Sequence, residues 1–477
     1  MKRWIARLLA ALALAMALAP SAMSDAEPAG SVPEEKAPEE PSGQPMPEDG
    51  MLSGEGAEQP PERYDAVRTI DGALTIEGET IESTGADENA VLITGGTAQL
   101  KDVQIIRSVQ ESAGGVSLFG VGAAVLATGG ETTVTGGTIG TDAAGGSGVF
   151  AYGDGAIAIS GTQITTRQDA SAGILTAGGG TIQAGDLVVE TYGASSAAIR
   201  SVAGGGRITV DGGTYVTHGS GSPAVDAAAD IALRDAALAA TDAGALCLDG
   251  TGSVTLVDCD LVGNMPDPED GDTAWTVLLC LRAPGGGEAG GSRFEMLGGS
   301  LTSTNGGLFC TTNTRSEFVL SGVTLAPDAQ CEYLLRCTGN ARGWGAEGEN
   351  ECTFTGIAQA LTGRVLWDSL STLDFYVTQG SVFTGEVRQD ERCADEGGEG
   401  MCSVTVDESS AWVVTGDSFV TNLACAGALV DEAGHAVAVS SPEGETLREG
   451  ESEYTVYAVR FSGTCDLSGA GALTVER

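Results

Sequence analysis

Basic side chains are the scarcest feature of this 477-residue chain. It has 23 Lys plus Arg against 66 Asp plus Glu, which gives a formal net charge of −43. Only Lys2, Lys36 and Lys101 are lysines, and His218 and His435 are the only histidines. A surface this acidic repels phosphate groups, so we expect no nucleic-acid partner. Chemistry that needs a cluster of Lys or His side chains has few residues to use.

Aromatic residues are also scarce, at 5% of the chain, whereas apolar residues together reach 42%. That apolar content is enough for a large core and excludes a wholly disordered protein. Glycine, with 72 residues, is about twice as frequent as its usual ~7% share. Cysteine is absent before Cys247, and all 11 cysteines lie between Cys247 and Cys465.

The N-terminus has the pattern of an export signal. Basic residues within the first seven positions precede the apolar residues 8–19, and small residues follow at 22–24. An apolar run of ~12 residues is short for a ~30 Å hydrocarbon core, which favours cleavage over an uncleaved anchor. We therefore predict a signal peptide at 1–24 and a secreted protein, extracellular or associated with the cell surface, with no transmembrane segment after cleavage.

Residues 25–62 differ in composition from the rest of the chain. They hold eight of the 15 prolines, eleven acidic residues and one lysine. Such a segment has little apolar area to bury, so we expect a disordered, solvated linker. A pro-segment that is later removed would have the same composition. The folded part is predicted to begin at residue 63.

Internal repeats dominate the folded part. Short apolar strands recur at intervals of 21 to 33 residues, beginning at residues 124, 149, 174, 198, 224, 245, 278, 308, 334 and 365. About ten residues after each start comes a second, alternating strand, as at residues 208–215 (ITVDGGTY). Strand repeats of this length, with no helical period, predict an all-β fold, a right-handed parallel β-helix or solenoid. A β-propeller fits less well because its blades need ~40–50 residues.

Stacking explains why such a repeat folds. One coil is too small to bury its own apolar positions, but coils stacked ~4.8 Å apart form parallel sheets around a continuous interior. We predict that the β-helix spans residues 63–425 and that a C-terminal β-rich cap at 426–477 covers its exposed strand edges. The larger spacings require excursion loops, at residues 263–274, 283–291 and 338–351.

Several short motifs resemble those of known exported proteins. They are residues 321–325 (SGVTL), Trp344-Gly345, Gln359 with Leu361, 371–373 (STL), 383–385 (FTG) and 412–418 (WVVTGDS). With them, most of residues 66–423 resembles β-helix proteins of the pectin-lyase-like superfamily, in particular an adhesin-like set common in Gram-positive bacteria. The resemblance implies the fold and a non-enzymatic surface role, and it implies no catalytic residue.

The same fold also occurs in polysaccharide lyases and glycosidases, whose catalytic residues form recognisable sequence patterns. A pectate-type lyase needs carboxylates on calcium and a base, and Gly287 stands where a second arginine would follow Arg282. The motifs of a polygalacturonase-type hydrolase do not occur in the sequence. We expect no catalytic site and no cofactor. The acidic loop with Asp267, Glu269, Asp270 and Asp272 is a calcium candidate. An ordinary exposed loop would have the same composition.

The cysteines suggest disulfides in an exported protein, and their odd number leaves at least one thiol. Cys393 and Cys402 flank one acidic loop, and Cys337 and Cys352 flank the loop that contains Trp344. Aligning the repeats places Cys247, Cys280 and Cys310 at one outward position in successive coils. That alignment predicts one bridge between neighbours, Cys247–Cys280 or Cys280–Cys310, or else three stacked thiols.

The same outward position contains Arg200, Asp226, Arg336 and Trp367 in other coils, and we expect Arg200 and Asp226 to form an ion pair. Trp275, Trp344 and Trp367 are candidate exposed aromatics for ligand contact. Together these features predict a secreted or surface-associated, non-enzymatic protein for adhesion or scaffold and ligand display, with a glycan or protein surface as partner. The alternative is a polysaccharide-active enzyme, a lyase or glycosidase. The sequence does not indicate an oligomeric state.

Overall fold

The computed structural model describes residues 60–109, 118–202, 204–268, 274–281, 291–329, 331, 333–339, 350–394 and 397–476, except for the side chain of Cys393. The predicted signal peptide and nearly all of the predicted linker lie outside these residues. The described chain is built of β-strands, with one 3-10 turn at Glu391–Cys393. It forms a right-handed parallel β-helix with a C-terminal cap, so the predicted fold class is confirmed.

Each coil contributes strands to three parallel sheets. Strands β1 (Ala66–Glu77) and β3 (Asn89–Lys101) pass through a corner and take part in both the first and the second sheet. The first sheet continues with β5 (Val125–Ala127), β8 (Val149–Tyr152), β11 (Ile174–Ala177), β14 (Ile199–Ser201), β17 (Val225–Ala227), β20 (Leu246–Asp249), β23 (Trp275–Cys280), β26 (Gly307–Thr312), β29 (Leu335–Cys337), β32 (Val365–Trp367) and β35 (Val387–Gln389).

The second sheet is the longest continuous face. It continues with β6 (Glu131–Thr135), β9 (Ala156–Ser160), β12 (Gly180–Gly185), β15 (Gly206–Asp211), β18 (Asp230–Arg234), β21 (Gly252–Val257), β24 (Gly291–Leu297), β27 (Arg315–Ser321), β30 (Asn350–Ile357), β33 (Ser371–Thr378), β36 (Met401–Val406), β38 (Ser418–Cys425) and β42 (Thr455–Ser462).

The third sheet closes the coil. It contains β2 (Thr80–Ser83), β4 (Gln104–Arg107), β7 (Thr138–Thr141), β10 (Gln163–Thr166), β13 (Val188–Thr191), β16 (Thr214–Thr217), β19 (Ala237–Ala240), β22 (Asp260–Gly263), β25 (Ser300–Ser303) and β28 (Thr324–Ala326). A separate set of four strands follows: β31 (Ala360–Thr362), β34 (Val382–Gly385), β37 (Ala411–Val414) and β39 (Ala428–Asp431).

A left-handed residue at one corner separates the second sheet from the third. The segment 208–215, predicted as one strand, is therefore divided between β15 and β16, with Gly212 (φ 73°) at the bend. Twelve residues with φ of 48–73° occupy this corner in successive coils: Gly78, Asp102, Gly136, Gly161, Asp186, Gly212, Asp235, Asp258, Gly298, Gly322, Ala358 and Gln379. Glycine adopts this conformation without the Cβ penalty, whereas the alanine at 358 is strained by it.

The interior changes character along the axis. Toward the N-terminus it consists of stacked aliphatic side chains, such as Val91, Val125 and Val149, all with 0% exposure. From β24 onward rings replace them, with centroids 5.1–6.1 Å apart: Phe294, Phe309, Phe318, Phe354, Phe375, Phe383 and Trp412. Burying one such large apolar side chain contributes about 1.5–3 kcal/mol, so the stack stabilises the C-terminal coils substantially.

The C-terminal end is closed by β structure. Strand β39, which follows the boundary predicted at 425, pairs in parallel with β37. Strands β40 (Ala438–Ser440) and β41 (Thr446–Arg448) pair antiparallel, and β42 lies in parallel beside both β38 and β40. Within the described part of the chain, no helix has the length and apolar character needed to cross a membrane.

Candidate binding groove

A line of side chains runs along the outer face of the second sheet, one from each coil. We call it the middle column. Strand register places these residues next to one another, from the N-terminal to the C-terminal coils: Thr75, Gln99, Thr133, Ala158, Gln183, Thr209, Ala232, Thr255, Glu295, Val319, Thr355, Tyr376, Thr405, Ala424 and Ser462. Neighbours in the column are therefore ~4.8 Å apart along the axis.

The C-terminal tail, residues 463–476, turns back and lies on this column. The backbone N–H of Gly471 donates to Thr355 Oγ1 at 2.9 Å, and the N–H of Thr474 donates to Glu295 Oε1 at 2.7 Å. Arg234 donates to the carbonyl of Glu476 at 3.4 Å. The tail thus runs from C-terminal toward N-terminal coils, across the strands.

Glu295 is the main anchor of the tail. Its side chain has 0% exposure, and besides the N–H of Thr474 it accepts the Thr474 hydroxyl at 2.5 Å and the N–H of Val475 at 3.3 Å. Arg293 lies 3.1 Å from the same carboxylate and also contacts Glu317. Burying an ionised carboxylate costs desolvation free energy unless hydrogen bonds and an opposite charge compensate it. The tail N–H groups and Arg293 provide that compensation for Glu295.

Beyond the tail the middle column is open. Val319 and Thr355, which lie beneath the tail, have 0% exposure, whereas Thr133, Ala158 and Gln183 are exposed. The open part forms a groove of about 510 Å³, and Val475 of the tail closes one end. Its lining is mainly hydroxyl, amide and small side chains, with Asp211 and Arg234 as the charged residues. On a protein with net charge −43 the groove is therefore locally close to neutral.

The first sheet has its own outward column, and it is largely covered. Leu126, Phe150 and Leu175 form one buried apolar cluster there, and Cys247, Leu278 and Cys310 belong to a second. Between the two clusters Arg200 Nε lies 3.2 Å from Asp226 Oδ2, in adjacent coils. The predicted ion pair is confirmed.

Strand register corrects the predicted cysteine column. Cys247 lies beside Leu278, and Leu278 lies beside Cys310, whereas Cys280 lies beside Asp249 and Thr312. Cys280 is thus two residues along the strand from the position predicted, and its Cα should lie ~8 Å from those of Cys247 and Cys310. That distance exceeds the range of about 4.4–6.8 Å that a disulfide accepts, so neither vertical bridge fits the register.

Two other predicted cysteine pairs have different outcomes. Cys337 and Cys352 are both buried thiols, and their side chains are in contact. Burial and the contact with Cys352 raise the pKa of Cys337 well above its ordinary value. Cys402 has 0% exposure, and burial raises its pKa. The side chain of Cys393 lies outside the described residues, so that pair stays a prediction.

The predicted aromatic contacts are corrected in two places. Trp275 is only 8% exposed and packs in the second apolar cluster of the first sheet. Trp367 is 6% exposed and faces the core, because register places Leu366 rather than Trp367 beside Arg336. Both are buried because of packing that a single strand does not reveal. Trp344 and most of the three excursion loops lie outside the described residues.

The calcium candidate is mostly outside the described residues as well, which include only Asp267 of its four acids. Asp267 is exposed, and its carboxylate accepts a hydrogen bond from Asn305 Nδ2 at 2.9 Å. Across the described residues no group of three or more His, Cys, Asp or Glu side chains is placed to hold a metal ion.

Sequence reasoning missed the middle column and its tail. The one local signal was the run of small residues at 469–472 (GAGA) after the last strand, which suits close packing on a sheet. Comparison with family models, with curated proteins and with solved structures found no match in any of the three.

Proposed function

We propose that this protein is an exported, non-enzymatic β-helix that serves in adhesion or ligand display at the cell surface. The open groove on the second sheet is the observation that carries the proposal. Its hydroxyl and amide groups suit hydrogen bonding to a ligand, and a rigid stack of coils holds them at fixed spacing. The sequence resemblance to adhesin-like members of the pectin-lyase-like superfamily and the export pattern support the same role.

The charged residues of the groove favour binding over turnover. Glycoside hydrolysis generally uses two carboxylates that flank the scissile bond. Asp211 is the carboxylate that lines the groove. The side chain beside it in the next coil is the positively charged Arg234 and not a second carboxylate. The strongly negative remainder of the surface favours cations and basic partners, and it keeps copies of the protein apart.

Binding and turnover are tested on one preparation of the exported chain, residues 25–477. It is applied to arrays of glycans and surface proteins, and the same glycans are assayed for reducing sugar and unsaturated products. We expect saturable binding without product. Ala232→Trp, which fills the groove floor, should remove that binding, whereas Thr138→Trp on the exposed third sheet should not. Product formation would instead establish the alternative, a polysaccharide lyase or glycosidase.

A further inference from the structure

We propose that the groove, which is the open half of the middle column, binds an extended peptide with small, uncharged side chains, in the manner of the protein's own tail. This inference rests on the proposed function and specifies the ligand of the groove. Residues 469–475 (GAGALTV) already occupy the adjoining half of the same column. The proposed site is continuous with that contact, because Val475 lines both the tail interface and the end of the groove.

The spacing of the tail contacts shows how such a ligand can meet the two acceptors of one group of three coils. Thr355 and Glu295, which accept the N–H groups of Gly471 and Thr474, lie two coils apart with Val319 between them. Two coils span ~9.6 Å, and three residues of an extended chain of the polyproline-II type span about 9.3 Å. Such a chain repeats every three residues, so the N–H groups of Gly471 and Thr474 can both face the column and meet acceptors two coils apart.

The same order of side chains recurs twice in the open half. Beneath the tail the order is acceptor, apolar, acceptor, formed by Thr355, Val319 and Glu295. The next three coils repeat it as Thr255, Ala232 and Thr209, and the three after that as Gln183, Ala158 and Thr133. All four polar residues of the open half have a hydroxyl or amide oxygen that can accept a backbone N–H.

Side-chain size and charge define which peptide fits. Ala158 and Ala232 leave room on the floor for small residues, as the alanines and glycines of the tail require. Asp211 and Arg234 nearly cancel in charge, so a neutral segment suits the groove better than a strongly charged one. The open column spans five coil steps, about 24 Å, which corresponds to about seven extended residues.

The probe is a fluorescein-labelled peptide with the sequence of residues 469–476 (GAGALTVE), titrated into residues 25–477 and followed by fluorescence anisotropy. We expect saturable binding with a Kd below ~1 mM. Methylating the two amide nitrogens that correspond to Gly471 and Thr474 should weaken binding at least tenfold, because those N–H groups meet the acceptors. Ala158→Trp should do the same, and unchanged thermal unfolding of that variant shows that it is folded.

Glu295→Gln separates the open half from the tail's own site. If the peptide binds the open half, its affinity for this variant stays within threefold of the original, and hydrogen exchange slows in β9 and β12 on binding. Absence of saturable binding would overturn the inference, as would binding that Glu295→Gln removes and Ala158→Trp leaves intact. The proposed function would then still be supported if the wild-type chain binds glycans or proteins on the arrays and the Ala232→Trp variant does not.

Discussion

The carboxylate of Glu295 accepts the backbone N–H of Thr474 at 2.7 Å, although 179 residues separate them in the chain. We expect Glu295→Ala to release the tail, because Thr474 and Val475 then lose their shared acceptor. Charge-assisted hydrogen bonds of this kind contribute about 1.5–3 kcal/mol each, so hydrogen exchange at residues 467–476 should accelerate at least tenfold. Glu131→Ala, at an exposed position of the same sheet, is the control. Unchanged exchange in the tail would show that Glu295 does not anchor it.

The corner between the second and third sheets offers a stabilising substitution. Ala358 has φ 48° and an exposed side chain, so Ala358→Gly removes strain without loss of packing. We expect the free energy of unfolding to rise by about 1 kcal/mol, measured by denaturant titration. The matched control is Ala360→Gly, two residues later in the exposed part of β31, which should lower it by about 0.5–1 kcal/mol. A loss of stability in both variants would contradict the assigned corner geometry.

Together with the export proposed above, the contact between Cys337 and Cys352 predicts a disulfide. Exported proteins encounter disulfide oxidants. The thiols of Cys337 and Cys352 would lose their protons and form a disulfide bond, while the disulfide of the oxidant is reduced to two thiols. Alkylation of the unfolded protein without reductant should leave Cys337 and Cys352 unmodified, and reduction should make both reactive. Cys259, a buried thiol at a corner, should be alkylated under both conditions. Labelling of Cys337 and Cys352 without reductant would show that no bridge forms between them.

Asp407 predicts a pH dependence of stability. Burial raises its pKa, but hydrogen bonds from the N–H groups of Gln379 and Ser409 and from serine hydroxyls lower it by more, so the pKa is below its ordinary value. Its contribution is therefore complete above an unfolded pKa of ~3.9 and is lost as the pH falls through the lower folded value. Asp407→Asn should cost about 1–3 kcal/mol at neutral pH and progressively less in acid.

Chemical unfolding at a series of pH values measures this difference between the wild-type chain and Asp407→Asn. Exposed Glu408 provides the control, since Glu408→Gln removes a neighbouring charge that the turn does not bury. A difference that grows as the pH falls would have the opposite sign to the one expected and would exclude this role for Asp407.

The repeat itself was predictable from the sequence because its signal is local. Alternation within a coil and glycine-rich turns between strands depend on neighbouring residues, and they correctly gave the parallel β-helix and the Arg200–Asp226 pair. Register across an excursion loop is not local. Leu246 pairs with Val277 rather than with Leu279, and this shift of two residues moved Cys280 out of the column assigned to it.

The sequence by itself determined that the chain forms stacked β coils around an apolar interior, since hydrophobic periodicity specifies which residues must be buried. Only the tertiary structure decided what lies outside that interior. Glu295, Val319 and Thr355 point outward from their strands yet have 0% exposure, because a tail more than 100 residues later in the chain packs over them. No pattern within a strand encodes that contact, which is why the open half of the same column emerged as the candidate site only from the fold.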